Sequence, residues 1–312
     1  MKKCLFVFIV FLQCTVFASW GENDIYYDAS NVERSPLKVS LYAKNSRVNQ
    51  SSARYGDYLI LVPKGRGVLY LYNLRTKTML CSIKMKPGVG KDAWGYDLYH
   101  SNQATFGCDF YDKDDPFPLL YISQRARKDK RCFAEVYRIV PSKTDEDTDY
   151  TSMKVQLVQT VFFPVMSTEN SLGNVNCVID GQAKLMYTYS RNNNSGEHNS
   201  GMCKITCFDI PPVKEDTVML DDSAIRDSYM LPCRAVYMQG GCIKDGRLYI
   251  GQGYKSAGYI YLNIVNLNER CLEKRIDLLA NGVTWEPEGC FVYEGCVMMS
   301  SGVNIWRFNA IP

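Results

Sequence analysis

Gln239-Gly240-Gly241-Cys242-Ile243-Lys244-Asp245-Gly246-Arg247-Leu248-Tyr249-Ile250-Gly251 is the stretch that decides the fold. Two short apolar runs flank Asp245-Gly246, a dipeptide whose residues tolerate the positive φ of a two-residue hairpin turn. The same pattern recurs in both directions along the chain. It appears as Glu288 to Met299 with Glu294-Gly295 at the turn, and as Asn176 to Tyr187 with Asp180-Gly181. It appears again as Ala53 to Val62 around Gly56-Asp57. With an insertion, it runs from Gln103-Ala104-Thr105-Phe106-Gly107-Cys108 to Leu119-Leu120-Tyr121-Ile122-Ser123. Cys108, Cys177, Cys242 and Cys290 align in four of the five copies.

A second hairpin follows the copies. Gly67 to Leu74 leads through Arg75-Thr76-Lys77-Thr78 to Met79-Leu80-Cys81-Ser82-Ile83, and Tyr259 to Leu267 leads through Asn268-Glu269-Arg270 to Cys271 to Ile276. Two hairpins make a four-stranded sheet, and such sheets arrayed about an axis make a propeller. The chain therefore reads as all-β, a five-bladed β-propeller over residues 19–312. A sixth blade, or a β-sandwich or barrel, is the alternative. The last unit ends at its third strand, Val303 to Phe308. The missing outer strand is expected from Leu37 to Tyr42, which closes the ring and removes an exposed edge.

The composition agrees with a folded, strand-rich chain. Of 312 residues 46% are hydrophobic and 22 are Tyr, while His occurs twice, at His100 and His198. Aromatic residues favour strands. A formal charge of +3, from 36 basic and 33 acidic residues, gives no electrostatic footprint for nucleic acid. Lys2 and Lys3, the apolar run Cys4 to Leu12 and Val16-Phe17-Ala18 describe a secretory leader cut after Ala18. Export to the periplasm or cell surface follows, with no transmembrane span and a monomer expected; lipidation at Cys14 is the alternative. Of thirteen cysteines, Cys4 and Cys14 fall in the leader. The remaining eleven are an odd number, lack the spacing of zinc ligands and sit in apolar runs. Most are therefore expected buried and unpaired.

Few segments look like chemistry. Arg125 to Arg131 and Asp145 to Asp149 read as solvated loops, the latter with Tyr150 where a calcium loop needs Gly. Gly88-Val89-Gly90-Lys91 lacks the first Gly and the Ser/Thr of a phosphate loop. Gly251-Gln252-Gly253 reads as a blade turn. The distinctive segment is Trp285-Glu286-Pro287-Glu288-Gly289, with two carboxylates at the opening of an inner strand.

The Glu-Pro-Glu-Gly opening of this unit, the Gln239-Gly240-Gly241 opening of the one before it and the hairpin Tyr259 to Ile276 resemble the propeller domain of phage receptor-binding tail proteins and of teichoic-acid biosynthesis protein C. Those are five-bladed propellers, and the resemblance implies surface or polysaccharide association. Esterase and phytase-like propellers also open blades with Glu-x-Glu-Gly. The function expected is therefore a non-catalytic binding or scaffold propeller for a glycan or a cell-surface protein. The alternative is a metal-dependent hydrolase using axial carboxylates; no cofactor is otherwise expected. Inner strands converge on the axis, so the polar residues opening them are the expected ligand-binding site: Gln103, Thr105, Asn174, Asn176, Gln239, Glu286 and Glu288. They are expected to face one shared cavity, with a divalent cation or sugar hydroxyl going first to the two glutamates.

Overall fold

The structure, a computed structural model, describes residues 32–38, 49–63, 67–85, 101, 103–124, 132–142, 150–164, 175–191, 201–213, 216–302 and 304–309. The leader, Cys14, His100, Asn174, His198, Gly88 to Lys91, Arg125 to Arg131 and Asp145 to Asp149 lie outside the described residues.

The first strand, β1 (Val32–Lys38), belongs to the last blade. Blade one is β2 (Asn49–Tyr55), β3 (Tyr58–Pro63), β4 (Val68–Asn73) and β5 (Thr78–Lys84). Blade two is β6 (Gln103–Phe106), β7 (Leu120–Gln124), β8 (Phe133–Pro141) and β9 (Met153–Phe162). Blade three is β10 (Asn176–Asp180), β11 (Leu185–Arg191), β12 (Met202–Asp209) and β14 (Ile225–Arg234). Between the last two, β13 (Thr217–Met219) crosses back to extend blade two, pairing parallel with β9. Blade four is β15 (Met238–Lys244), β16 (Arg247–Tyr254), β17 (Tyr259–Asn266) and β18 (Cys271–Asp277). Blade five is β19 (Gly289–Tyr293), β20 (Cys296–Ser301), β21 (Asn304–Phe308) and then β1. The chain is a five-bladed β-propeller.

Side-chain alternation explains why the blades stack. Along β3, Ile60 and Val62 pack toward blade two, while Leu59 and Leu61 pack toward blade five. Along β20, Val297 and Met299 meet blade four and Met298 meets blade one. Strands buried on both faces read as continuous apolar runs rather than alternating ones. Five apolar clusters result, one between each pair of neighbouring blades, and the cluster joining Phe291, Met298 and Ile305 to Leu59, Leu61 and Tyr72 closes the ring.

The N-terminal segment closes the last blade through β1, which shares Leu37 and Lys38 with the expected strand and begins earlier, at Val32. β1 runs antiparallel to β21 with Val32 opposite Phe308 and Lys38 opposite Asn304. Residues 39–42 lie outside the described residues. A register shift between Arg34 and Lys38 takes up Pro36, which an outermost strand tolerates because half its ladder needs no donor.

None of the eleven cysteines from Cys81 to Cys296 is joined in a disulfide, and eight are buried. Cys177, Cys242 and Cys290 sit on inner strands, but Cys108 lies beyond the end of β6, in the insertion before β7, and is half-buried. Burial alone pushes the Cys177 and Cys290 thiols up to about 12, so they stay protonated and inert near neutrality. Thiol titration of denatured, unreduced mature protein is expected to recover all eleven, and native protein only a few. Recovery of one or none would instead reveal a disulfide framework.

Candidate functional site

Inner strands β2, β6, β10, β15 and β19 all begin at one end of the axis, here the upper face. The turns between the second and third strands of each blade share that end. The polar residues opening the inner strands crowd there and are sealed: Gln103, Asn176, Gln239 and Glu288 are between 1% and 6% exposed. The four side chains are thus closed to solvent.

Gln103 acts as a stitch across the ring. Its Nε2 donates to the Gly241 carbonyl at 2.9 Å and to that of Ala104 at 2.8 Å, while its Oε1 accepts the Gly241 N–H at 2.6 Å. The buried Tyr189 hydroxyl donates to the same Oε1 at 3.3 Å and to the Gln239 carbonyl. Gln50 Nε2 donates to Glu288 Oε1 at 3.1 Å, tying blade one to blade five. Among the described residues Gln50 Oε1, Ser51 Oγ, Asn176 Nδ2 and Gln239 Oε1 make no hydrogen bond. Interior atoms of this kind are ordinarily served by buried water. Among the described residues no three His, Cys, Asp or Glu side chains cluster closely enough to hold a metal.

Glycine is required where the inner strands approach most closely. A Cβ on Gly240 would collide with the Glu288 carbonyl and lie 2.5 Å from Gly289 Cα. A Cβ on Gly289 would collide with the Ser52 hydroxyl and lie 2.6 Å from the Ser52 nitrogen. The Gly-Gly and Glu-Gly openings are thus consequences of a narrow ring.

Only Glu288 of the two glutamates is buried. Glu286 is partly exposed on the upper face, among aromatic residues. Trp285, before it, is 56% exposed, and Tyr237, opening the neighbouring blade, is 49% exposed. The Trp285 ring lies against Gly302 in the β20–β21 turn, and Ser301 Oγ donates to its carbonyl at 2.8 Å. Tyr237 meets Tyr254 edge-on at 4.7 Å. The Tyr254 hydroxyl is held above its ordinary pKa by its hydrogen bond with Tyr237, by burial and by the fields of Tyr237, Glu286 and the nearby Tyr259.

Tyr237 is held in place by the segment read as a turn. Gly251-Gln252-Gly253 lies within β16, and Gln252 is buried. Its Nε2 donates to the Arg234 carbonyl at 2.7 Å and the Val236 carbonyl at 3.1 Å, while the Gly253 N–H donates to the Tyr237 carbonyl at 2.9 Å. Asn263 Nδ2 donates to Gln252 Oε1 and Arg275 Nε donates to Asn263 Oδ1, so the clamp is itself braced.

No family model matches the chain, and no curated protein matches it. Among solved structures it is similar to Myxococcus xanthus glutaminyl cyclase, at 9% identity, covering 84% of this chain and 90% of that one, with a TM-score of 0.45. It is similar to BamB from Moraxella catarrhalis at 8% identity, covering 82% and 71%, with a TM-score of 0.31. It is similar to the β-propeller domain of Myceliophteria thermophila Cps50 (Swd1) at 8% identity, covering 84% of each chain, with a TM-score of 0.38. At such identities no residue of the upper face has a counterpart to be read across.

The opposite, lower end of the axis holds a cavity of about 160 Å³. Every inner strand contributes to it, including Arg54, Thr105, Ile179, Ile243 and Val292. Of the residues expected to bind ligand, Thr105 lines this cavity. Tyr237, Tyr254 and Gln252 were not legible as site residues. The one available signal was the aromatic bracket Tyr237, Tyr254 and Tyr259 around a strand otherwise apolar.

Proposed function

We propose that the chain is an exported, monomeric binding propeller that holds a glycan on its upper face without transforming it. The observation that carries this reading is Tyr237. Its backbone sits at φ 54°, a region that costs a bulky residue roughly 1–2 kcal/mol and that glycine would occupy freely. Strain retained under a half-exposed ring is a pointer to use, since nothing in folding rewards exposing that ring. Trp285 and Tyr237 offer flat apolar surfaces for the C–H faces of sugar rings, and Glu286 between the two blade openings accepts from hydroxyls. The basic-apolar leader supports export. The likeness of the Glu286 to Gly289 and Gln239 to Gly241 openings to propellers of phage tail and teichoic-acid proteins supports a cell-surface polysaccharide. No cofactor enters this reading.

Affinity electrophoresis in gels containing cell-wall polysaccharide tests it. Trp285→Ala and Tyr237→Ala are each expected to abolish retardation, and Glu286→Gln to weaken binding by about tenfold. Gln252→Leu should weaken binding by freeing the Tyr237 loop, although it touches no sugar. Chelator is expected to change nothing. Retardation that survives Trp285→Ala, or that requires a divalent cation, would favour the hydrolase alternative.

A further inference from the structure

We propose that the lower face carries a docking surface of its own, on which the insertion of blade two receives a basic, apolar segment of a partner protein. In the other four blades two to four residues join the first strand to the second, whereas residues 107–119 join β6 to β7. This excursion leaves from the lower end of the axis. Six consecutive residues of it are exposed, Asp109-Phe110-Tyr111-Asp112-Lys113-Asp114. Phe110 and Tyr111 are 40% and 47% exposed, and Tyr55, in contact with Phe110, is 39% exposed. Rings placed by folding alone would be turned inward, as Phe117 of the same insertion is.

The shelf is fixed from beneath. Tyr55 meets Phe110 edge-on at 6.0 Å and rests on Phe106 at 6.0 Å and on the buried Phe117 at 6.2 Å. The Arg138 guanidinium stands 4.9 Å over the Tyr111 ring, and Asp115 holds it by two bonds, Nε to Oδ2 at 2.8 Å and Nη2 to Oδ1 at 2.6 Å. The Asp112 N–H donates to Asp115 Oδ2, and the Asp114 N–H to Asp112 Oδ1. The rings are therefore presented already ordered, which lowers the entropic cost of docking on them.

The rim decides the partner. Asp115 is neutralised by Arg138, but Asp57, Asp109, Asp112 and Asp114 outnumber the nearby cations Lys113 and Lys184. Arg54 faces the Tyr293 ring of blade five instead. Lys113 reaches Asp114 only at 4.0 Å with both side chains more than 80% exposed, where an ion pair contributes little. Such a rim repels an anionic lipid surface or an acidic polysaccharide. A neutral sugar would stack on the rings and leave the carboxylates unanswered. A peptide segment with Lys or Arg beside a large apolar side chain answers both, its cations pairing with the carboxylates or lying over the rings.

Selection of a phage-displayed random peptide library on the folded chain tests this surface, followed by anisotropy titration of the selected peptide. Selected peptides are expected to carry Lys or Arg beside Leu, Phe or Trp, and to bind more weakly as salt rises. Phe110→Ser and Tyr111→Ala should each weaken binding by about tenfold or more. Asp114→Lys should weaken it several-fold and flatten the salt dependence. Where a ring variant fails to fold, Asp114→Lys, at a side chain 82% exposed, decides. No enrichment of basic apolar peptides, salt-independent binding, or unchanged binding to a folded Tyr111→Ala would each overturn the proposal. So would a dimer in sedimentation that Phe110→Ser dissociates, which would place a second copy here, or glycan retardation lost with Tyr111→Ala. Trp285→Ala is expected to bind the peptide as the unaltered chain does, so this test stands or falls apart from the glycan site.

Discussion

Replacing Gly240 with valine is expected to prevent the ring from closing. The new Cβ would strike the carbonyl of Glu288 and come within 2.5 Å of Gly289 Cα. Both obstacles are backbone, so no rotamer relieves them; β15 and β19 must separate. That separation opens the apolar cluster where Cys242 and Tyr249 of blade four meet Cys290 and Val297 of blade five. Overpacking a core ordinarily costs about 1–3 kcal/mol and more when backbone must move. A loss beyond about 3 kcal/mol is a large share of the roughly 5–15 kcal/mol that holds a domain folded. The measurement is urea unfolding, with soluble yield beside it. Gly295→Ala is the control: its φ of 72° strains alanine, but a Cβ there meets nothing within 4 Å. It should cost about 1–2 kcal/mol. A Gly240→Val protein as stable as that control would mean the inner strands are not packed as closely as described.

Gln103→Leu should cost roughly 2–5 kcal/mol with an unchanged denaturant slope. Leucine is one atom shorter and apolar, and it strands the N–H and carbonyl of Gly241, which Gln103 serves at 2.6 and 2.9 Å in a place closed to water. The buried Tyr189 hydroxyl keeps its bond to the Gln239 carbonyl, which limits the damage. Gln103→Glu should be at least as harmful, because a carboxylate turns a donor toward the Gly241 carbonyl into a repelling oxygen. A loss under about 0.5 kcal/mol for the leucine variant would show that the stitch across the axis carries no weight.

The blade count was legible because a hairpin repeat leaves Gly and Asp at fixed distances from apolar runs. The ring closure was legible in outline only. Val32 to Lys38 is polar and contains Pro36, as an outermost strand is free to be, while Leu37 to Tyr42 shows the alternation that a half-buried strand would have. β13 was missed because three residues carry no period. At the axis, the sequence marked polarity at Gln103, Asn176, Gln239 and Glu288 but not its use. A glutamine whose amide pairs with Gly241 across the ring looks the same in sequence as one waiting for a ligand. Cys108 shared a spacing with the other repeat cysteines but not a position, because the insertion after Phe106 begins before it.

The most direct measurement is a glycan array probed with the mature chain beside Trp285→Ala, with both confirmed folded by thermal melting. The account predicts that the unaltered chain selects a restricted set of bacterial surface glycans and that the variant binds none of them. An array silent toward the unaltered chain, or one on which the two proteins bind alike, would contradict a glycan site on the upper face.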